Sequence, residues 1–321
     1  MTVDRILTVR VDRIVRETPE IVSFELVHPR GGDLPGFDAG AHINVHLPGG
    51  FARPYSLARA PDSPSSCQRY VIGVKREPLS RGGSASLHER VAVGDLLAVS
   101  TPRHTFPLQP QASHHLLVAG GIGLTPLLCM AQRLQAEGAA YTLAVFVRSP
   151  QHLAFADAVR ALGPPVQLHF DQPVEAAKID LAALLAERRP NSHAYLCGPA
   201  GFMQAARAAA AHWPEDAVHL EYFAAPDGLA TDAHDEAFVL RLTERGIDVP
   251  VAADQTAVEA LHRLGIDVPT SCEQGVCGTC VVALAGGQAE HRDYCLTPGE
   301  RMRKVALCCS RAKGGVLAVA L

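Results

Sequence analysis

Near the C-terminus three cysteines share one short run, Cys272-Glu-Gln-Gly-Val-Cys277-Gly-Thr-Cys280, and Cys308 follows after a gap of twenty-seven residues. The spacing C-x4-C-x2-C with a distant fourth cysteine is the ligand pattern of a plant-type [2Fe–2S] cluster. It constrains the fold because four thiolates must converge on two tetrahedral irons, three of them from a single tight loop. Gly275 and Gly278 let that loop curl while its N–H groups point inward. The chain is therefore expected to handle single electrons at a fixed site in a separate C-terminal module.

Other uses of cysteine fit less well. A structural zinc site normally uses two C-x2-C knuckles, and only Cys277 and Cys280 have that spacing. A disulfide framework is disfavoured by chain length, by an odd count of nine Cys and by the lack of a secretory signal. Cys67, Cys129 and Cys295 are isolated and read as small buried apolar residues. Cys308 and Cys309 are adjacent, so only one of them faces the cluster.

The 321 residues are 48% hydrophobic and 19% charged, enough apolar material for two or three globular domains. A net charge of −4 without Lys/Arg clusters argues against nucleic-acid binding. The longest charge-free apolar stretch, about 116–130, is too short for a membrane span and contains Gly120, Gly121, Gly123 and Pro126. Reduced thiols without an export signal point to the cytoplasm. The fifteen His include no HExxH pattern.

Three textures follow one another. Residues 1–108 read as short alternating strands (6–14, 21–26, 42–47, 70–75) with one helix at 84–91, as in a small antiparallel barrel. Residues 109–226 alternate strands (115–119, 142–147, 166–170, 193–197) with helices (126–137, 153–162, 181–187, 201–211), the pattern of a parallel doubly wound sheet. Residues 227–236 are polar and unpatterned, an expected linker. From 237 to 321 the order is strand hairpin (238–243, 247–251), helix (257–264) and cysteine loop, as expected of a β-grasp ferredoxin.

Each texture carries a candidate binding motif. Arg53-Pro54-Tyr55-Ser56 ends a barrel strand: Arg to neutralise a phosphate, Tyr to face an aromatic ring, Ser to bond a flavin nitrogen. Val74-Lys75-Arg76 and Arg81-Gly82-Gly83-Ser84 lead into the barrel helix, whose first N–H groups form a phosphate cradle. Gly120-Gly121-Ile-Gly123-Leu-Thr125-Pro126 follows a strand and opens a helix, the context for a nucleotide pyrophosphate. Cys197-Gly198-Pro199 ends a second strand and leaves room for a nicotinamide ring. Asp171 after a third strand would favour ribose hydroxyls, whereas Arg148 would favour a 2′-phosphate, which leaves NADH or NADPH open. Phe223 in Glu221-Tyr-Phe223 is a candidate to stack on a flavin or to cap the core.

In this order the motifs Arg-x-Tyr-Ser-Leu, Gly-Gly-Ile-Gly-x-Thr-Pro, Cys-Gly-Pro and the terminal cysteines resemble the phthalate dioxygenase reductase family across nearly the whole chain. The resemblance implies FMN in the barrel, NADH in the α/β domain and a C-terminal [2Fe–2S] ferredoxin. Arg81–Ser84 resembles the family's FMN-phosphate loop, with Ser80 where Gly is frequent. Cys308-Cys309-Ser-Arg-Ala resembles the family's Cys-Val-Ser-Arg-Ala, which makes Cys308 the fourth ligand. His291-Arg292-Asp293 resembles a recurring stretch without an assigned role. The resemblance further implies a monomer that serves a Rieske-type terminal oxygenase as its electron acceptor. A hydride carries two electrons and the cluster takes one, so the flavin stands between them.

Overall fold

The computed structural model describes residues 5–47, 51–63, 65–78, 82–173, 178–225 and 235–321. The chain forms two compact units, Met1–Glu221 and Tyr222–Leu321.

The first unit opens with strands β1 (Ile6–Arg16), β2 (Ile21–Val27), β3 (Ala41–Leu47), β4 (Phe51–Ser56) and β5 (Arg69–Lys75), then helix α1 (Gly83–Arg90) and strand β6 (Leu96–Ser100). They hydrogen-bond in the order β4-β3-β6-β1-β2-β5, and the bridge Leu57–Ile72 joins the two ends into a nearly closed barrel. Period-two alternation explains the pairing. Val9, Val11, Phe24, Leu26, Ile43, Val45, Ile72 and Val99 all point inward and are buried. Leu87 on the inner face of α1 is buried as well.

The same unit continues with β7 (His114–Gly120), α2 (Leu124–Glu137), β8 (Tyr141–Val147), α3 (Ala156–Ala161), β9 (Val166–Phe170), α4 (Leu181–Ala186), β10 (Ser192–Cys197), α5 (Ala200–Ala209) and β11 (Val218–Glu221). The strands are all parallel in the order β9-β8-β7-β10-β11. β7 is buried at every position, as a central parallel strand covered on both faces must be. The order reverses between β7 and β10, which puts the binding crevice beyond their carboxyl ends. Barrel and sheet share one continuous apolar core.

One expected helix is corrected. The segment 153–162 is helical only over Ala156–Ala161, because Pro150–His152 is a 3₁₀ turn and Phe155 is left-handed at φ 53°. Phe155 is pulled from the helix by the barrel. Its N–H donates to Glu17 Oε2 at 2.9 Å, and its ring lies against Gly73 of β5.

The second unit contains β12 (Phe238–Leu242), β13 (Ile247–Val251), α6 (Ala257–Arg263), β14 (Val281–Glu290), α7 (Pro298–Arg301), β15 (Lys304–Ala306) and β16 (Arg311–Val319). Its sheet order is β13-β12-β16-β14-β15, with the central β12–β16 pair parallel and its outer neighbours antiparallel. Thr256 and Glu259 form a capping box at the start of α6, which buries Val258 and Leu261. Of the expected linker 227–236, only Asp235 and Glu236 lie within the described residues. The buried Asp235 carboxylate takes two N–H donors from Arg292 and stands 3.6 Å from Arg311 Nε. Arg311 in turn lies over the Phe238 ring. No helix among the described residues is long and apolar enough to cross a membrane.

Candidate functional site

The cysteine loop runs between α6 and β14, and Cys308 follows β15. The Cys272, Cys277, Cys280 and Cys308 thiols are all buried. Cys272 is within hydrogen-bonding reach of Cys277 and Cys308, and Cys280 of Cys308. Those contacts separate the thiols electrostatically. Donation from Cys277 and Cys308 holds Cys272 well below the ordinary thiol range, and donation from Cys308 lowers Cys280. The two donors are raised in return. The Gln274 N–H points at Cys272 Sγ at 3.3 Å, and Cys277 Sγ pairs with the Thr279 hydroxyl at 3.1 Å.

Gly275 sits at φ +70°, and a Cβ there would stand 2.7 Å from Cys309 Sγ and 3.0 Å from Asp293 Cα. A side chain at 275 would therefore force the loop off its support. Cys309 packs beneath Gly275, while Cys308 joins the other three thiols. Buried thiols in pairwise contact, with a main-chain N–H aimed at sulfur, fit a [2Fe–2S] cluster. Among the described residues no three His, Cys, Asp or Glu side chains form a single-ion site.

The His291-Arg292-Asp293 stretch acquires a structural role. The buried Asp293 carboxylate accepts the Leu296 N–H at 3.0 Å and pairs with His291 Nδ1 at 3.1 Å. The next residue, Tyr294, donates its N–H to the Gly275 carbonyl at 2.9 Å. The stretch clips the segment after β14 to the cysteine loop, and Arg292 holds Asp235.

In the first unit, β4 presents Arg53, Pro54, Tyr55 and Ser56, with Tyr55 opposite Ile43 of β3. Burial pushes the Tyr55 phenol up, opposed by the Arg53 charge. The Arg53 side chain lies across the start of α1: a Cβ on Gly83 would stand 2.7 Å from Arg53 Cγ. Gly82 is the N-cap and offers no side chain of its own, so α1 starts with its N–H groups beside a guanidinium. That cradle fits the phosphate of FMN. Ser84 Oγ accepts the Glu77 N–H at 3.2 Å and Lys75 pairs with Glu77 at 3.1 Å, which tie together the turn before α1. Val74 is fully buried, and its carbonyl accepts from His88 Nε2 at 2.9 Å. Ser80 and Arg81 lie outside the described residues. Phe223, in the second unit, is 40% exposed.

The glycine-rich turn Gly121–Gly123 is a 3₁₀ turn that runs directly into α2, which starts two residues before Pro126. Thr125 is buried and its hydroxyl donates to the Ile122 carbonyl at 3.0 Å, securing the turn; Pro126 is buried in the first turn of the helix. A Cβ at Gly123 would stand 2.3 Å from the Cys197 carbonyl oxygen, so this turn and Cys197-Gly198-Pro199 abut. Pro199 is the N-cap of α5. Two uncapped helix starts thus flank the switch point, a geometry that accepts a dinucleotide pyrophosphate. Asp171 follows β9 with its side chain 67% exposed. Arg148, the alternative for coenzyme choice, is directed to Glu20 of the barrel at 3.5 Å.

Sequence reasoning missed Glu221 as a site residue. It ends β11 in register with Cys197 of β10, and Ser56 of the barrel donates to its Oε2 at 3.3 Å. Burial pushes the Glu221 carboxyl up to about 8, opposed by the Ser56 hydrogen bond. Burial, and secondly the Glu221 charge, raises the Cys197 thiol. Ser56, Cys197 and Glu221 therefore meet where barrel and sheet join. An acid ending an apolar strand was the only signal in the sequence, since Ser56 is 165 residues away.

When bound, FMN exchanges electron pairs with a nicotinamide and single electrons with an iron–sulfur cluster. Arg53 and the start of α1 would hold its phosphate, and the chain further supplies the Ser56–Glu221 contact between barrel and sheet and the four-thiol nest.

A model of the 2Fe-2S iron-sulfur cluster binding domain matches residues 240–313. The chain is 42% identical over 308 residues to the vanillate O-demethylase oxidoreductase of Pseudomonas sp. (strain HR199 / DSM 7063), covering 94% of this chain and 96% of the relative. Among solved structures it is similar to phthalate dioxygenase reductase, described as modular for electron transfer from pyridine nucleotides to [2Fe–2S] (TM-score 0.70, 37% identity, 98% of both chains). It is also similar to part of an intact type IV self-sufficient cytochrome P450 monooxygenase (TM-score 0.89, 36% identity), covering 98% of this chain but only 41% of that one. With the barrel, the parallel sheet and the four-thiol loop in this order, the chain belongs to the phthalate dioxygenase reductase family, oxidoreductases that carry electrons from a pyridine nucleotide through FMN to a [2Fe–2S] cluster.

Proposed function

We propose that the protein is the NADH-dependent reductase component of a two-component Rieske-type oxygenase, working as a monomer in the cytoplasm. In this reading Asp171 holds the ribose hydroxyls of NADH, Arg53 and the α1 N-terminus hold the FMN phosphate, and Cys272, Cys277, Cys280 and Cys308 hold the cluster. The observation that carries it is the 3.3 Å Ser56–Glu221 contact that joins barrel to sheet beside Cys197, in a chain that also holds a four-thiol nest. Domains 1–108, 109–226 and 237–321 then correspond to flavin, nucleotide and cluster steps.

The test mixes purified holoprotein and NADH with a Rieske oxygenase, and in parallel with a cytochrome P450. Substrate-dependent NADH oxidation with the Rieske oxygenase is the expected result. The P450 acceptor is the second reading, favoured by the similarity to the P450 chain. Selective coupling to P450 would replace the first reading with the second. Visible spectra before and after NADH report whether flavin and cluster bleach together. Gel filtration of the same material checks the monomer.

A further inference from the structure

Four aromatic and acidic side chains form a line across the carboxyl ends of β10, β7, β8 and β9. Gly120, Phe146 and His169 are register partners on three adjacent strands. Partners in a parallel sheet share a face, and Gly120 leaves its place empty. Phe202 of α5 fills it: a Cβ at Gly120 would stand 2.8 Å from the Phe202 ring. Phe202 packs on Phe146 with centroids 5.3 Å apart, and Phe146 stacks on His169 at 4.9 Å and 29°. His169 then meets Asp171, with Nε2 3.2 Å from Oδ1.

The Ile179 main chain brackets Nδ1, with its N–H 2.8 Å and its carbonyl oxygen 3.1 Å away. A carboxylate only accepts, so the contact with Asp171 is one in which Nε2–H donates to Oδ1. Among the described residues this bond engages Oδ1 and leaves Oδ2 for a ligand. The imidazole cannot swing away, because its side chain is only 16% exposed and is pinned by Phe146 on its face and Ile179 on its edge. Lys178 Nζ is held by the carbonyls of Phe170 and Asp171.

We propose that His169 is a positioning residue for coenzyme choice: it fixes the Asp171 carboxylate so that one oxygen faces the adenosine ribose diol and the acid repels a 2′-phosphate. This rests on the reading of Asp171 as the ribose-binding acid. A carboxylate held in one rotamer accepts a diol without paying the ordering cost on binding. The discrimination then acts through coenzyme binding, not through the chemistry at the flavin.

The experiment compares kcat and KM for NADH and NADPH, with ferricyanide as acceptor, in holoprotein carrying His169→Phe, His169→Gln or Asp171→Asn. Phe keeps the stack on Phe146 and removes the donor, while Gln keeps a side-chain N–H. His169→Phe is expected to raise KM for NADH about fivefold with kcat retained, lowering the NADH/NADPH ratio of kcat/KM, and Gln to restore most of it. Equal losses with both coenzymes, or an unchanged ratio, overturn the assignment of His169. Asp171→Asn separates the two ideas. If it leaves the ratio unchanged, the ribose reading of Asp171 falls and takes the proposal with it. If it shifts the ratio while His169→Phe does not, only the proposal falls.

Discussion

Glu221→Gln gives the sharpest test of the join between barrel and sheet. The carboxyl titrates at 4.5 in an ordinary setting and at about 8 here, with burial as the main cause. The sign follows directly. Below pH 4.5 the group is neutral folded or unfolded, and it costs nothing. Between 4.5 and 8 the unfolded chain releases this proton and the folded one retains it, so stability falls as pH rises. The loss is complete above about 8. At about 1.4 kcal/mol per pH unit the full penalty is about 5 kcal/mol, and residual solvent access reduces it to about 2–3 kcal/mol. Gln keeps the shape and the bond to Ser56 but cannot ionise. Urea unfolding of wild type and variant holoprotein at pH 5, 7 and 9 should give curves that diverge by about 2–3 kcal/mol, the variant gaining at high pH. Parallel curves would refute the buried-acid account of this contact.

Arg53→Ala should weaken FMN retention about 10–100-fold by removing a charge-assisted phosphate contact, read as flavin fluorescence released on desalting. Cys277→Ser should abolish cytochrome c reduction yet spare NADH-driven bleaching of bound flavin; undiminished cytochrome c turnover would reject the electron path. Gly123→Ala places a methyl 2.3 Å from the Cys197 carbonyl oxygen, so the two turns must separate. We expect a loss of about 1–3 kcal/mol in thermal unfolding together with a higher KM for NADH.

Much of this molecule is written in local pattern. Alternating side chains in 21–26 and 70–75 mark strands because successive residues point to opposite faces, although here both faces of these strands are largely covered. The C-x4-C-x2-C loop names its cluster because three ligands are consecutive in the chain, and the glycine-rich turn is legible because strand, turn and helix adjoin. The shortened α3 was not legible. Its pattern is helical, and only Glu17, far away in sequence, draws Phe155 into a left-handed conformation. Nor does any pattern show what His291-Arg292-Asp293 holds together, since the partners Gly275 and Asp235 lie elsewhere in the chain.

The linear chain by itself carried the order of three textures and the three-cysteine run Cys272, Cys277 and Cys280, because ligand spacing and hydrophobic period are local properties, whereas spacing does not choose between Cys308 and Cys309. Only the tertiary structure decided that Ser56 meets Glu221 and that Arg53 lies across the start of α1. Those contacts join side chains from different elements of the fold. Their energies depend on burial and distance, and neither exists until the barrel has closed against the sheet.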